Sequence, residues 1–215
     1  MSITNIVIEQ DRVLIGVDTL GGFMDQAPQF MGEAERFDRH VCKFSLLPQI
    51  SSAMTSRGDA WLAALVRQQL DLSLARHFDD AAPMMPDFLE LAYEQVMATR
   101  KQQQRIEQFY GAEVILVGWS PMAKRFEGMR WYRYPTDAVF IPQRLEKMGI
   151  FPEIDRIEAI EVPDTADKME AVARRQVAWA RQDGRQYPCG GKLLMVELTR
   201  DAANVRTIAD LEQRR

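Results

Sequence analysis

Ser2 follows the initiator methionine directly, and Asp18 closes an apolar run sixteen residues further on. A methionine aminopeptidase of bacterial type accepts a small second residue, so removal of Met1 would make Ser2 a free N-terminus. It would then carry a hydroxyl and an α-amine of pKa about 7.7–8.0, a nucleophile and its own general base. A serine in that place means little by itself. The elements around it give it weight.

Residues 3–9 are rich in β-branched side chains, Gln10-Asp11-Arg12 reads as a polar turn, and 13–17 resume the apolar run, which predicts a hairpin. Gly21-Gly22 opens a loop to about Arg39. Further strands are predicted from His40 to Leu46 and from Ile50 to Thr55. Asp59 is placed to cap a helix from Ala60 to about Leu74, with Trp61, Leu62, Leu65, Val66 and Leu70 at helical spacing. Asp79 to Pro86 interrupts that pattern, and a longer helix is expected from Asp87 to about Phe109, stopped by Gly111. Strands return at Glu113 to Trp119 and Arg125 to Tyr134. Residues 135–154 read as an irregular excursion with a short helix near 143–148, and 156–162 as a strand. Asp164 or Thr165 caps an amphipathic helix bearing Met169, Val172, Ala173, Val177 and Ala180, ending at Gly184. Strands at 192–199 and 204–208 finish the chain. Strands in blocks separated by helices imply an α+β fold of stacked sheets with helices outside, in one domain over 1–215 with an insertion at 135–163.

Composition narrows the partners. The chain has 215 residues, 47% of them hydrophobic, and a net charge of −4 with both signs interspersed. No basic stripe with interleaved aromatics is present, so nucleic acid is not an expected partner. No apolar run approaches a membrane span, and Glu9 to Arg12 interrupt any secretory core, so a cytoplasmic protein is expected. Cys42, Cys189, His40 and His77 lack metal-ligand spacing, so neither a metal nor a cofactor is expected. Asp25 and Asp79-Asp80 read as solvated loops, and the glycine pairs at 21–22 and 190–191 lack the rest of a phosphate cradle. The aromatic run Trp131-Tyr132-Arg133-Tyr134 reads as sheet packing or an interface edge.

Several stretches resemble proteasome-type subunits of the N-terminal-nucleophile hydrolases. Val13-Leu14-Ile15-Gly16-Val17-Asp18 resembles the family's second strand with its terminal aspartate, 40–44 its third strand, and 50–61 the segment leading into its first outer helix, with Asp59 at the matching aspartate. The resemblance runs in order along nearly the whole chain and implies a four-layer αββα sandwich. It also implies roles. Counted from Ser2, Asp18 falls at the family's spacing between nucleophile and aspartate, where the carboxylate holds a cation that lowers the amine and hydroxyl pKa values. The family's cation is a lysine on the third strand; the matching position here is His40, whose charge a nearby carboxylate would favour. Lys43 is close, but its odd offset on a strand would point it to the opposite face. The oxyanion donor would be a backbone N–H near Thr55, where the family has glycine. No counterpart of the family's later glycine-serine-glycine segment and Asp/Ser pair is found; Ser120 and Asp137 fit poorly.

Two functions follow. The missing lysine, oxyanion glycine and later Ser/Asp set favour a divergent, non-catalytic or atypical subunit that self-assembles into a homo-oligomeric ring or shell. The alternative is an N-terminal serine amidohydrolase or peptidase acting on a peptide or amide, with Ser2, Asp18, His40 and Thr55 at its centre. A two-layer α+β binding domain unrelated to that family is the third reading. A fold by itself settles none of them.

Overall fold

The computed structural model describes residues 2–21, 39–102, 109, 111–154, 160–182 and 189–212. The opening alternation builds the expected hairpin: β1 (Thr4–Ile8) pairs antiparallel with β2 (Arg12–Asp18), Thr4 opposite Val17 and Ile8 opposite Val13. Short strands β3 (Leu20–Gly21) and β4 (Arg39–His40) form a two-stranded ribbon. A meander follows: β5 (Phe44–Leu47), β6 (Ser52–Gly58), β7 (Ala112–Ser120), β8 (Arg125–Arg133) and β9 (Ile141–Leu145), neighbours in that order in one antiparallel sheet. Strands β10 (Met148–Phe151), β11 (Lys192–Thr199) and β12 (Ala203–Asp210) complete the other, in the order β10-β1-β2-β11-β12.

Helices α1 (Ala60–Leu72) and α2 (Phe78–Gln102) lie between β6 and β7 in sequence, and α3 (Ala166–Ala180) precedes β11. Asp59 caps α1 as expected, accepting from the Trp61 and Leu62 N–H groups at 3.0 and 3.1 Å. Its other oxygen takes Arg100 of α2 and so ties the two helices together. Such a cap is worth about 1 kcal/mol. Thr165 caps α3.

Three apolar seams hold these elements. Leu62, Val66, Leu70, Met85, Leu89 and Val96 of the helix pair pack on Met54, Val114, Leu116 and Trp131 of the β6–β8 sheet. The opposite faces of those strands give Ala53, Ile115, Val117 and Phe126, which meet Ile6, Val13, Ile15, Val17, Val196 and Leu198 of the other sheet. That sheet's far side, Ile3, Val7, Leu14 and Leu193, packs on Met169, Ala173, Val177 and Ala180 of α3. Strands β1, β2 and β7 are thus buried on both faces, whereas the edge strands β9 and β12 stay largely exposed; burial of this kind supplies most of the folding free energy. Among the described residues the result is α+β with two five-stranded antiparallel sheets, the β3–β4 ribbon and three α-helices, compatible with the expected sandwich.

Several expectations need correction. The second long helix starts at Phe78 rather than Asp87, with Pro83 and Pro86 inside it; periodic burial of Phe78, Ala81, Met85 and Leu89 outweighs the prolines' missing donors. The predicted third strand is two, β4 and β5, with residues 41–43 linking them. The predicted helix near 143–148 is absent; β9 and β10 instead give each sheet an edge strand. Most of the 156–162 strand and the Gly184 helix end fall outside the described residues, as do all of residues 22–38, where a loop is expected.

The helix pair approaches its sheet closely at Gly118, where a Cβ would overlap the Ser52 hydroxyl and lie 3.2 Å from Phe78 Cβ. That hydroxyl is fixed on Ile50 O at 2.9 Å. Gly118→Ala should therefore cost about 1–3 kcal/mol, seen as a lower Tm in thermal denaturation, through overpacking.

Candidate functional site

Asp18 is the last residue of β2, and it is wholly buried. Its Oδ1 accepts the Ile3 N–H at 2.8 Å and the Lys43 ammonium at 2.7 Å. Its Oδ2 accepts the Gly190 N–H at 2.9 Å. Gly190 reaches that position at φ +143, a conformation that suits glycine, and its own carbonyl takes the Leu20 N–H. Lys43 also donates to Leu20 O at 2.5 Å. The cation and the start of the chain therefore share one carboxylate oxygen, two hydrogen-bond lengths apart at most. Ser2, half-buried, is the residue whose peptide group supplies that Ile3 N–H.

Burial acts on both charges. It pushes the Asp18 carboxyl up, against the Lys43 charge and the two N–H donors. It pushes the Lys43 ammonium down, against the attraction of Asp18. Both shifts have burial as their first cause, and the attraction between the two charges opposes each of them. Cys189, buried beside the pair, has its thiol raised from 9.0 to about 11, by burial and then by the Asp18 charge.

The cation on Asp18 is Lys43, where the resemblance pointed to His40. His40 has its backbone in the β3–β4 ribbon opposite Leu20. The face argument against Lys43 assumed one unbroken strand, but Lys43 sits in the irregular 41–43 link, where alternation does not hold. One signal was present in the sequence: Lys43 is the only lysine among the first 100 residues. Thr55 is buried beside the site, its hydroxyl donating to Lys43 O at 2.9 Å and lying 3.4 Å from the Thr4 hydroxyl. The following Ser56 N–H also goes to Lys43 O. The donors around Thr55 therefore hold the link that carries Lys43. Ser120 and Asp137 organise turns, bonding the Ala123 and Tyr134 N–H groups.

Sequence reasoning missed Gly190 and Arg57. Arg57 Nε donates to Ser2 O at 2.7 Å, and its guanidinium pairs with Glu113. A surface groove of about 590 Å³, lined by Ser51, Arg76, His77, Trp119, Lys124 and Arg200, lies at the opposite end of β6 and β7 and shares no residue with this cluster.

No family model matches the chain, and no curated protein does. Solved structures match it over nearly its full length. A mutant of Anbu from Hyphomicrobium sp. strain MC1 superposes with a TM-score of 0.59, covering 97% of this chain and 87% of its own at 12% identity. Anbu (ancestral beta-subunit) from Yersinia bercovieri gives 0.59, with 96% and 87% covered at 11% identity. A further Anbu structure from the Hyphomicrobium strain gives 0.56, with 97% and 88% covered at 12% identity. The fold is Anbu-like. This corrects the family read from the sequence: the similar structures are Anbu proteins, and no proteasome-family model matches. At 11–12% identity the likeness to Anbu concerns the fold alone.

Two outcomes test this cluster. Lys43→Met leaves a buried carboxylate without its cation and should cost about 3–5 kcal/mol in chemical denaturation. A thiol raised on folding contributes stability that is complete below pH 9.0 and is lost as pH climbs through about 11. The wild type should therefore lose more stability than Cys189→Ala across that window, measured as the difference between their Tm-against-pH curves.

Proposed function

We propose that the chain is an amide hydrolase whose nucleophile is Ser2, exposed by removal of Met1, on a single-domain αββα sandwich. The observation that carries this reading is the Lys43 ammonium on the Asp18 oxygen that also holds the Ile3 N–H. A buried cation fixed beside the Ser2–Ile3 peptide is what a nucleophile at Ser2 needs once Met1 is removed. It favours the neutral amine and the alkoxide form of the hydroxyl.

In this reading the Ser2 oxygen attacks the carbonyl carbon of an amide while the α-amine takes the hydroxyl proton. Collapse of the tetrahedral intermediate breaks the carbon–nitrogen bond, the proton passes to the leaving amine, and water later hydrolyses the ester on Ser2. Asp18 keeps Lys43 oriented throughout. Thr55 and Ser56 hold the 41–43 link through Lys43 O.

One observation favours a second reading, a non-catalytic ring or shell subunit. The donors near Thr55, the expected place for oxyanion stabilisation, are engaged with Lys43 O. The beta-subunit description of the Yersinia Anbu supports assembly of several copies under either reading. Sedimentation of the purified protein reads the assembly directly.

The deciding experiment is intact mass of the native-start protein, followed by a serine-reactive amide-analogue probe. The proposal expects loss of Met1, one probe adduct on Ser2, and a fall of at least about a hundredfold in labelling for Ser2→Ala. Retained Met1, or equal labelling of Ser2→Ala, overturns it in favour of the subunit reading.

A further inference from the structure

A nucleophile at the first residue of a chain has a structural problem, because termini fray unless they are tied down. The peptide group joining Ser2 to Ile3 is tied at both ends. Its N–H donates to Asp18 Oδ1 at 2.8 Å, and its C=O accepts from Arg57 Nε at 2.7 Å. Because a peptide group is planar, these two bonds fix its orientation and with it the position of the Ser2 Cα.

Arg57 is itself held by elements distant in sequence. Glu113 of β7 accepts Arg57 at 3.0 Å and Arg130 of β8 at 2.9 Å on the same Oε2. Arg130 donates in turn to Gln143 of β9 at 2.8 Å. Both guanidiniums lie against the Phe151 ring of β10, centred 5.9 and 4.3 Å away, and Phe151 stands opposite Thr4 in the sheet register. Side chains of Arg57, Glu113 and Arg130 are all about nine-tenths buried, at 12%, 9% and 10% exposure. A planar fork suits this task, since one guanidinium can bond a carbonyl and a carboxylate at once.

We infer that Arg57, braced by Glu113 and Arg130, is a positioning residue that clamps the Ser2–Ile3 peptide from the β6–β8 sheet and so sets the nucleophile's place opposite Lys43. This rests on the reading of Ser2 as nucleophile. A structural clamp of no catalytic consequence is its competitor, and the two differ in what a substitution changes.

The test compares wild type, Arg57→Met and Arg57→Lys by amide exchange over residues 2–8 and by labelling with the same probe. Arg57→Lys keeps a cation for Glu113 where Arg57→Met risks the fold, but a lysine lacks the two-pronged reach. For the variants that fold, the proposal expects Ile3 amide exchange at least tenfold faster with β2 unchanged. It also expects the maximal labelling rate to fall about tenfold or more with the probe's half-saturating concentration within twofold of wild type. Unchanged exchange in Arg57→Lys, or faster exchange with an unchanged labelling rate, overturns it. If wild type is not labelled on Ser2, the proposed function fails and the positioning role falls with it; the exchange result then reports only whether the clamp exists.

Discussion

A carboxylate with no exposed surface governs this end of the molecule. Burying Asp18 without partners would cost several kcal/mol, on the order expected for an isolated ion in a protein interior. The structure offsets that cost with one ammonium and two peptide N–H groups, drawn from the start of β1, the 41–43 link and the loop at Gly190. Those segments lie far apart in sequence. None of them has reason to be where it is without the others, so the site forms only as the sheet closes.

The seam between the two sheets changes character along its length. Away from Asp18 it is apolar, built of Ala53, Val117 and Phe126 against Val13, Ile15 and Val196. Toward the chain start the same strand faces carry Thr55, Arg57, Glu113 and Arg130. Period-two alternation places both sets on one face. A sandwich whose interior passes from hydrocarbon to paired charge has a rigid apolar half to hold the polar half in register. That polar half ties down the Ser2–Ile3 peptide ahead of β1.

The oxyanion problem shows how locally the same residues are contested. Thr55 and Ser56, where the resemblance implies an oxyanion donor, both hold Lys43 O. In the proposed reaction, positioning the cation and stabilising a developing negative charge would draw on the same short stretch of β6. The Anbu-like fold accommodates either emphasis, since a fold constrains geometry far more than reaction.

Local signals were legible in the sequence. Alternation fixed the β1–β2 hairpin and the β7, β8 and β11 strands, and Asp59 and Thr165 announced the helix starts they cap. Ser2 and Asp18 are paired by the spacing that the resemblance implies, and the hairpin brings the Ser2–Ile3 peptide onto Asp18. The tertiary structure alone decided the rest. The pairing of Lys43 with Asp18 depended on a break between β4 and β5, which spacing could not anticipate. Arg57 and Gly190 gained their roles from strands and loops brought together across the sandwich. Periodicity and capping are properties of neighbouring residues, whereas the partner of a buried charge is whichever group the whole fold brings within reach.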